Sequence, residues 1–139
     1  MGRRYLLDTN IVLFSFSDRK DLMREVQNIL DDYNNIFYVS ATSVKEIIHL
    51  YNSGKLKRSR WKRTEDIVTD IKSANFELLP VKWEHLFTYA KLSTPKEHND
   101  PNDHIIISQA IAERMILISS DRKFEQYGDQ SLHFYFNDR

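Results

Sequence analysis

Apolar and polar positions along this chain fall into short blocks whose period switches between two and about 3.6, and each switch marks an element. Tyr5-Leu6-Leu7 is an apolar run ending at Asp8 and reads as a strand. Residues 11–16 open a helical stretch, and residues 21–33 carry Leu22, Val26, Ile29 and Leu30 on one side of a further helix. Residues 36–39, aromatic and β-branched, read as a second strand. Residues 43–51 form a helix that stops near Gly54, and residues 60–73 another, with Trp61, Ile67, Val68 and Ile71 as its apolar positions. A third strand covers residues 76–81 and a helix residues 84–92. Asp100-Pro101 has the form of an N-cap followed by proline at the first helical position, opening a helix that runs to about Arg114. Residues 115–118 are apolar enough for a strand buried on both faces, residues 122–127 make a short helix, and residues 132–136 alternate as a strand with one buried face.

Strands alternating with helices predict an α/β fold, three layers α/β/α around a mostly parallel central sheet. No repeat, low-complexity tract or Pro/Gly-rich linker divides the 139 residues, so residues 1–139 read as a single domain. The longest run without Asp, Glu, Lys or Arg is the twelve residues 33–44, too short for a membrane span of roughly twenty. Arg3 and Arg4 precede an apolar run as in a signal peptide, but Asp8 and Asn10 interrupt it. The chain therefore reads as soluble and cytoplasmic, with no membrane partner. Zero cysteines exclude disulfides, cysteine-ligated metals and a thiol nucleophile. Three scattered glycines exclude the common phosphate-binding loops.

In a parallel sheet the carboxyl ends of the strands open on one edge, where ligands bind. Asp8 follows the first strand and Asp121 the fourth. Asp103 lies in the first turn of the helix that leads into the fourth strand, and Glu46 early in the helix after the second. Four carboxylates from four segments thus converge on one rim. Two like charges 4 Å apart repel by about 4 kcal/mol at an effective dielectric near 20. Protons, Lys/Arg partners or a cation must relieve that, and the cation suited to oxygen-only ligands is Mg²⁺ or Mn²⁺, as one ion or as a pair. Each acid also has a plain structural role open to it. Asp8 and Asp121 can cap the helices they precede, Glu46 completes a Ser43-x-x-Glu46 capping box, and Asp103 favours the helix dipole.

Four blocks of sequence resemble those of a known family. Leu6-Leu7-Asp8-Thr9-Asn10-Ile11 is similar to the opening of PIN-domain nucleases, in particular the VapC-type toxins of toxin–antitoxin systems. Ser43-Val44-Lys45-Glu46 resembles the family's Ser/Thr-x-x-Glu helix start, the segment from Asp100 to Ala110 its D-P-x-D block, and the segment from Leu117 to Phe124 its strand–T/S-x-D block. The resemblance implies a PIN-like fold and a divalent-metal-dependent endoribonuclease, with Asp8, Glu46, Asp103 and Asp121 as catalytic and metal residues. It makes Asn10, Ser119 and Thr9 supporting groups. It also implies a homodimer and a cognate antitoxin that lays an amphipathic segment beside the site. His104 departs from the pattern, since many relatives carry Arg there.

Residues 55–63 read K-L-K-R-S-R-W-K-R, six basic and none acidic, so the zero formal net charge hides a polarised molecule. Lys55, Lys57, Arg58, Arg60, Lys62 and Arg63 are the candidate RNA contacts, with Trp61 either stacking on a base or packed in the core. His98, Asp100, Asp103 and His104 lie close together without cysteine or an H-E-x-x-H pairing, so they make no zinc pattern, and His98 reads as a surface-loop residue. His49, His85 and His133 have no recognisable partners. Two other functions compete. An aspartyl-phosphate phosphatase would use Asp8 as nucleophile, but position 10 is Asn where that chemistry wants a second acid. A catalytically inactive RNA-binding or antitoxin-binding module is the other, against which stands the presence of all four acids.

Overall fold

The computed structural model describes residues 2–56 and 59–139. Along the chain run β1 (Arg4–Leu7), α1 (Thr9–Phe16), a 3-10 turn (Arg19–Asp21), α2 (Arg24–Asp31), β2 (Ile36–Ser40), α3 (Ala41–Asn52) and α4 (Thr64–Ser73). There follow β3 (Glu77–Leu79), α5 (Trp83–Lys91), α6 (Pro101–Glu113), β4 (Ile116–Ser119), a longer 3-10 segment (Arg122–Gln130) and β5 (His133–Phe136). The strands form one sheet in the order β3-β2-β1-β4-β5, and every neighbouring pair is parallel.

Successive side chains of a strand point to opposite faces, and this splits the core in two. Tyr5, Leu7, Val39 and Ile118 pack with Val12, Val26, Ile47 and Ile67 on the face covered by α1 to α4. Leu6 and Leu117 pack with Ile106, Ala110, Phe124 and Tyr127 on the other. This is the expected three-layer α/β/α arrangement. The chain builds outward from β1 to β3, then returns to lay β4 on the free side of β1. The switch point between β1 and β4 is the crevice where such sheets bind ligands.

Several boundaries differ from the sequence reading. The helix expected over residues 60–73 begins at Thr64, because the Asp66 carboxylate accepts the backbone N–H groups of Arg63 and Lys62 (3.1 and 3.3 Å) and stops the helix there. Ser43 is not a helix cap. Helix α3 starts directly off β2, and Ser40 caps it by accepting from Thr42 N–H at 3.0 Å. The Ser43-x-x-Glu46 pair therefore sits inside the helix. Strand β5 has no single buried face, since Phe134 packs on one core and Tyr135 on the other. None of the described helices is long and apolar enough to cross a membrane.

Candidate functional site

Sheet register brings the first two site residues together. Leu7 pairs with Ile118, so the next residues along, Asp8 and Ser119, stand side by side at the carboxyl edge. Ser119 Oγ donates to Asp8 Oδ2 at 2.6 Å, and Thr9 N–H donates to Asp8 Oδ1 at 2.8 Å. The second bond is the helix cap expected of Asp8; capping and lining the site are one position. Ser119 Oγ also accepts from Asp121 N–H at 3.0 Å, which ties the fourth acid to the first through one hydroxyl. Asp121 in turn caps the 3-10 segment by accepting from Lys123 N–H at 2.9 Å.

Residues three apart on a helix share a face. Ser43 and Glu46 both turn toward α1, where the Thr9 hydroxyl donates to Glu46 Oε1 at 2.6 Å and lies 3.0 Å from Ser43 Oγ. Asp103 stands in the first turn of α6, which Asp100 caps and Pro101 opens as expected. Asp8, Thr9, Asn10, Leu13, Glu46, Leu50, Asp103 and Asp121 line one cleft of about 240 Å³. All four predicted acids are thus brought together, with Thr9, Asn10 and Ser119 among or beside them. Asn10 Oδ1 is buried with no hydrogen-bond donor among the described residues.

The electrostatics match this crowding. Asp8 is 5% exposed, and its carboxyl is pushed up to about 7 by burial and by the charges of Asp103 and Glu46, against the pull of the Ser119 and Thr9 hydrogen bonds. Asp103 is likewise pushed up to about 7, by burial first and then by Asp100, Glu46 and Asp121, with Lys123 in partial opposition. Two carboxylic acids that resist ionisation in one cleft want a positive charge there. The donor set, carboxylates and an amide oxygen, is one that can hold a hard divalent cation.

His98 departs from the expectation of a surface residue. It is 2% exposed, because the loop before α6 folds inward over Phe124. Its Nε2 lies 3.0 Å from Asp103 Oδ2 and its Nδ1 2.7 Å from the Tyr127 hydroxyl. His98, Asp103 and Asp121 bring one polar atom each within 4.8 Å of one another. No spacing in the sequence announces this, since Tyr127 is 29 residues away. His104, at the position that departs from the family pattern, is buried and donates through Nε2 to the His98 carbonyl at 2.7 Å. His85 also has partners after all. Its Nδ1 accepts from Lys82 N–H at 3.0 Å, so Nε2 carries the proton and donates to Glu113 at 2.7 Å. That tautomer joins α5 to α6 and leaves Nε2 no lone pair for a metal, although Glu84 and Glu113 stand near.

Of the predicted basic contacts, Lys57 and Arg58 lie outside the described residues. Lys55 and Arg60 line a second cleft of about 200 Å³ with Leu13, Phe16, Leu56 and Trp61, and Leu13 is shared with the carboxylate cleft. Lys62 and Arg63 are exposed. Arg60 and Arg63 each face an acid at 3.5 Å, Asp70 and Asp66. Trp61 takes the core alternative, not base stacking. It is 7% exposed, edge-on to Phe16, and its Nε1 donates to Asp70 at 2.8 Å.

The PIN domain family model matches residues 5–130. This chain belongs to the PIN domain family. Solved structures share the PIN fold over nearly the whole chain. A chain of VapBC2 from Rickettsia felis, solved bound to a DNA fragment from their promoter, is 23% identical with a TM-score of 0.73, covering 97% of this chain and 99% of that one. VapBC-1 from nontypeable Haemophilus influenzae is 19% identical with a TM-score of 0.68, covering 96% and 97%. VapBC-5 from Mycobacterium tuberculosis, of the VapBC family of toxin-antitoxin systems, is 18% identical with a TM-score of 0.56, covering 96% and 97%. No curated protein matches this chain.

Proposed function

We propose that this PIN domain is a divalent-metal-dependent endoribonuclease and the toxin of a toxin–antitoxin pair. The observation that carries the reading is the convergence of Asp8, Glu46, Asp103 and Asp121 on one cleft at the switch point of the sheet. Family membership and the fold shared with chains of VapBC complexes support it. The four carboxylates would hold Mg²⁺ or Mn²⁺, and the donor set fits: oxygen ligands only, two acids held well above their usual range, and an unpaired Asn10 oxygen in the same cleft. Such an ion, when bound, supplies electrostatic stabilisation of phosphoryl oxygens and lowers the pKa of water.

The protein's own groups do the rest. Ser119 and the Thr9 N–H each hold one oxygen of Asp8, which fixes the plane of that carboxylate. The Thr9 hydroxyl holds one oxygen of Glu46 from α1. No side-chain nucleophile is required. Lys55, Arg60, Lys62 and Arg63, with Lys57 and Arg58, would bind the phosphates of RNA and bring the polyanion to an acidic site that repels it. The apolar cleft rimmed by Lys55 and Arg60 suits an amphipathic antitoxin segment, which would cover those cations and border the carboxylates through Leu13. Exposed Trp83, Leu86 and Phe87 on α5 offer an apolar face for a homodimer. An RNA substrate and a cysteine-free site suit a cytoplasmic protein.

The test is cleavage of a mixed structured and single-stranded RNA pool with Mg²⁺, with Mn²⁺ and with EDTA, comparing wild type with Asp8→Asn. Metal-dependent cleavage lost in the folded variant is expected. Cleavage by Asp8→Asn at the wild-type rate refutes the reading.

A further inference from the structure

One side chain buried behind Asp103 has no part in the chemistry proposed for the four acids. His98 is buried between α6 and the 3-10 segment, perpendicular to the His104 ring at 4.9 Å and tilted over Phe124 at 5.5 Å. Both of its ring nitrogens are engaged, one by Asp103 and one by Tyr127. We infer that His98 is a positioning residue for Asp103, held by Tyr127 in the tautomer that donates to the carboxylate.

Three groups form a chain in which each fixes the next. A carboxylate only accepts, and a phenol carries one proton. Ionised, as it is at pH 8 or beside a cation, Asp103 can only accept, so His98 Nε2, 3.0 Å from Asp103 Oδ2, must carry the ring N–H of the neutral imidazole. Nδ1 is then the acceptor, and the hydroxyl of the wholly buried Tyr127, 2.7 Å away, donates to it. One oxygen of Asp103 is held in place, and the rotation of the carboxylate in the cleft is fixed. The same logic says that His98 is no ligand itself, although it clusters with Asp103 and Asp121, because Nε2 is protonated and Nδ1 is taken by Tyr127. A hydrogen-bonding group behind a ligand commonly sets its orientation and basicity. The backbone here does not depend on the ring: His98 N–H donates to Pro95 O at 3.1 Å, and His104 Nε2 donates to the His98 carbonyl. Replacing the ring therefore leaves the loop anchored.

This inference rests on the four-carboxylate reading, so the experiment includes its control. Mn²⁺ binding is measured by calorimetry at pH 8 for wild type, Asp8→Asn, His98→Gln, His98→Leu, Tyr127→Phe and the His98→Leu/Tyr127→Phe double variant, each checked for folding by near-UV circular dichroism. His98→Leu is expected to weaken Mn²⁺ by about 10- to 100-fold. His98→Gln, which presents an amide N–H at similar reach, recovers most of that affinity. Tyr127→Phe weakens binding in the wild-type background and has no further effect beside His98→Leu, because the two act as one unit. Imidazole ¹⁵N spectra of the Mg²⁺-saturated wild type show Nε2 protonated and Nδ1 bare.

Wild-type affinity in folded His98→Leu overturns the inference. So does His98→Gln binding as weakly as His98→Leu, which marks a packing role alone, or a protonated Nδ1 in the spectra. If His98→Leu does not fold, the double variant, which leaves no orphaned hydroxyl, and the wild-type spectra decide. A wild type that binds no Mn²⁺, or an Asp8→Asn that binds it unchanged, overturns the metal reading itself and this inference with it.

Discussion

Asp8→Asn should make the metal-free protein more stable at pH 8 while removing its activity. The carboxyl of Asp8 moves from 3.8 to about 7 on folding, chiefly through burial. At 1.36 kcal/mol per pH unit, that is about 4 kcal/mol of cost to the folded state once the group is ionised. The sign follows from the folded value lying above the unfolded one. The folded state binds the extra proton, so stability from this group is full below pH 3.8 and is lost as the pH rises through about 7. Asparagine carries no charge and removes this loss. It gives up the charged acceptor for Ser119 Oγ, a bond worth about 1.5–3 kcal/mol. The balance favours the variant by about 1–2.5 kcal/mol at pH 8. With an unfolding entropy of about 2.1 cal/mol/K per residue over 139 residues, the melting temperature should rise by about 3–9 °C. The assay is thermal unfolding of both proteins in EDTA across pH 4 to 8. Loss of the Asp8 charge also relieves Asp103, which repels it, and this acts in the same direction. The gap should open between about pH 4 and 7 and close at the acid end, and Mn²⁺ should reverse it by stabilising wild type alone. A variant less stable than wild type at pH 8 in EDTA refutes the claim that Asp8 is electrostatically strained.

Two further outcomes follow from the basic segment. Replacing Lys55, Lys62 and Arg63 together by Ala should weaken RNA binding and flatten its salt dependence, by about 0.7 in log–log slope for each phosphate no longer neutralised; fluorescence anisotropy across a salt series reads both, and an unchanged slope removes these residues from the RNA path. Trp61→Ala should destabilise the fold by about 3–5 kcal/mol in urea titration, through the cavity beside Phe16 and the lost hydrogen bond to Asp70, whereas a base-stacking Trp61 on the surface would cost little stability.

Much of this site is legible in one dimension because each acid sits next to a strong local signal. Asp8 ends an apolar strand, Asp121 follows another, and Asp103 lies three residues after an Asp-Pro helix start. Parallel topology then places strand ends on one edge, so alternation of strand and helix is enough to predict that the acids meet. Glu46 was legible for a different reason than its surroundings suggested. Ser43-x-x-Glu46 has the spacing of a capping box, yet the helix starts earlier, capped by Ser40, and the same i, i+3 spacing serves to point both side chains at Thr9.

What the sequence by itself determined is the layering, the parallel sheet and the positions of the four acids, since these follow from local periodicity and from residues adjacent to element ends. Only the tertiary structure decided the roles of residues whose partners are distant in the chain. Trp61 sits in a strongly basic run but is buried by Phe16 and Asp70 from elsewhere. His98 looked like a loop histidine until the fold set Tyr127 and Asp103 on either side of it. His85 had no visible partner until α5 packed on α6 and supplied Glu113. Burial and hydrogen bonding of a polar side chain are set by groups brought together across the whole chain, and no local pattern encodes which groups those are.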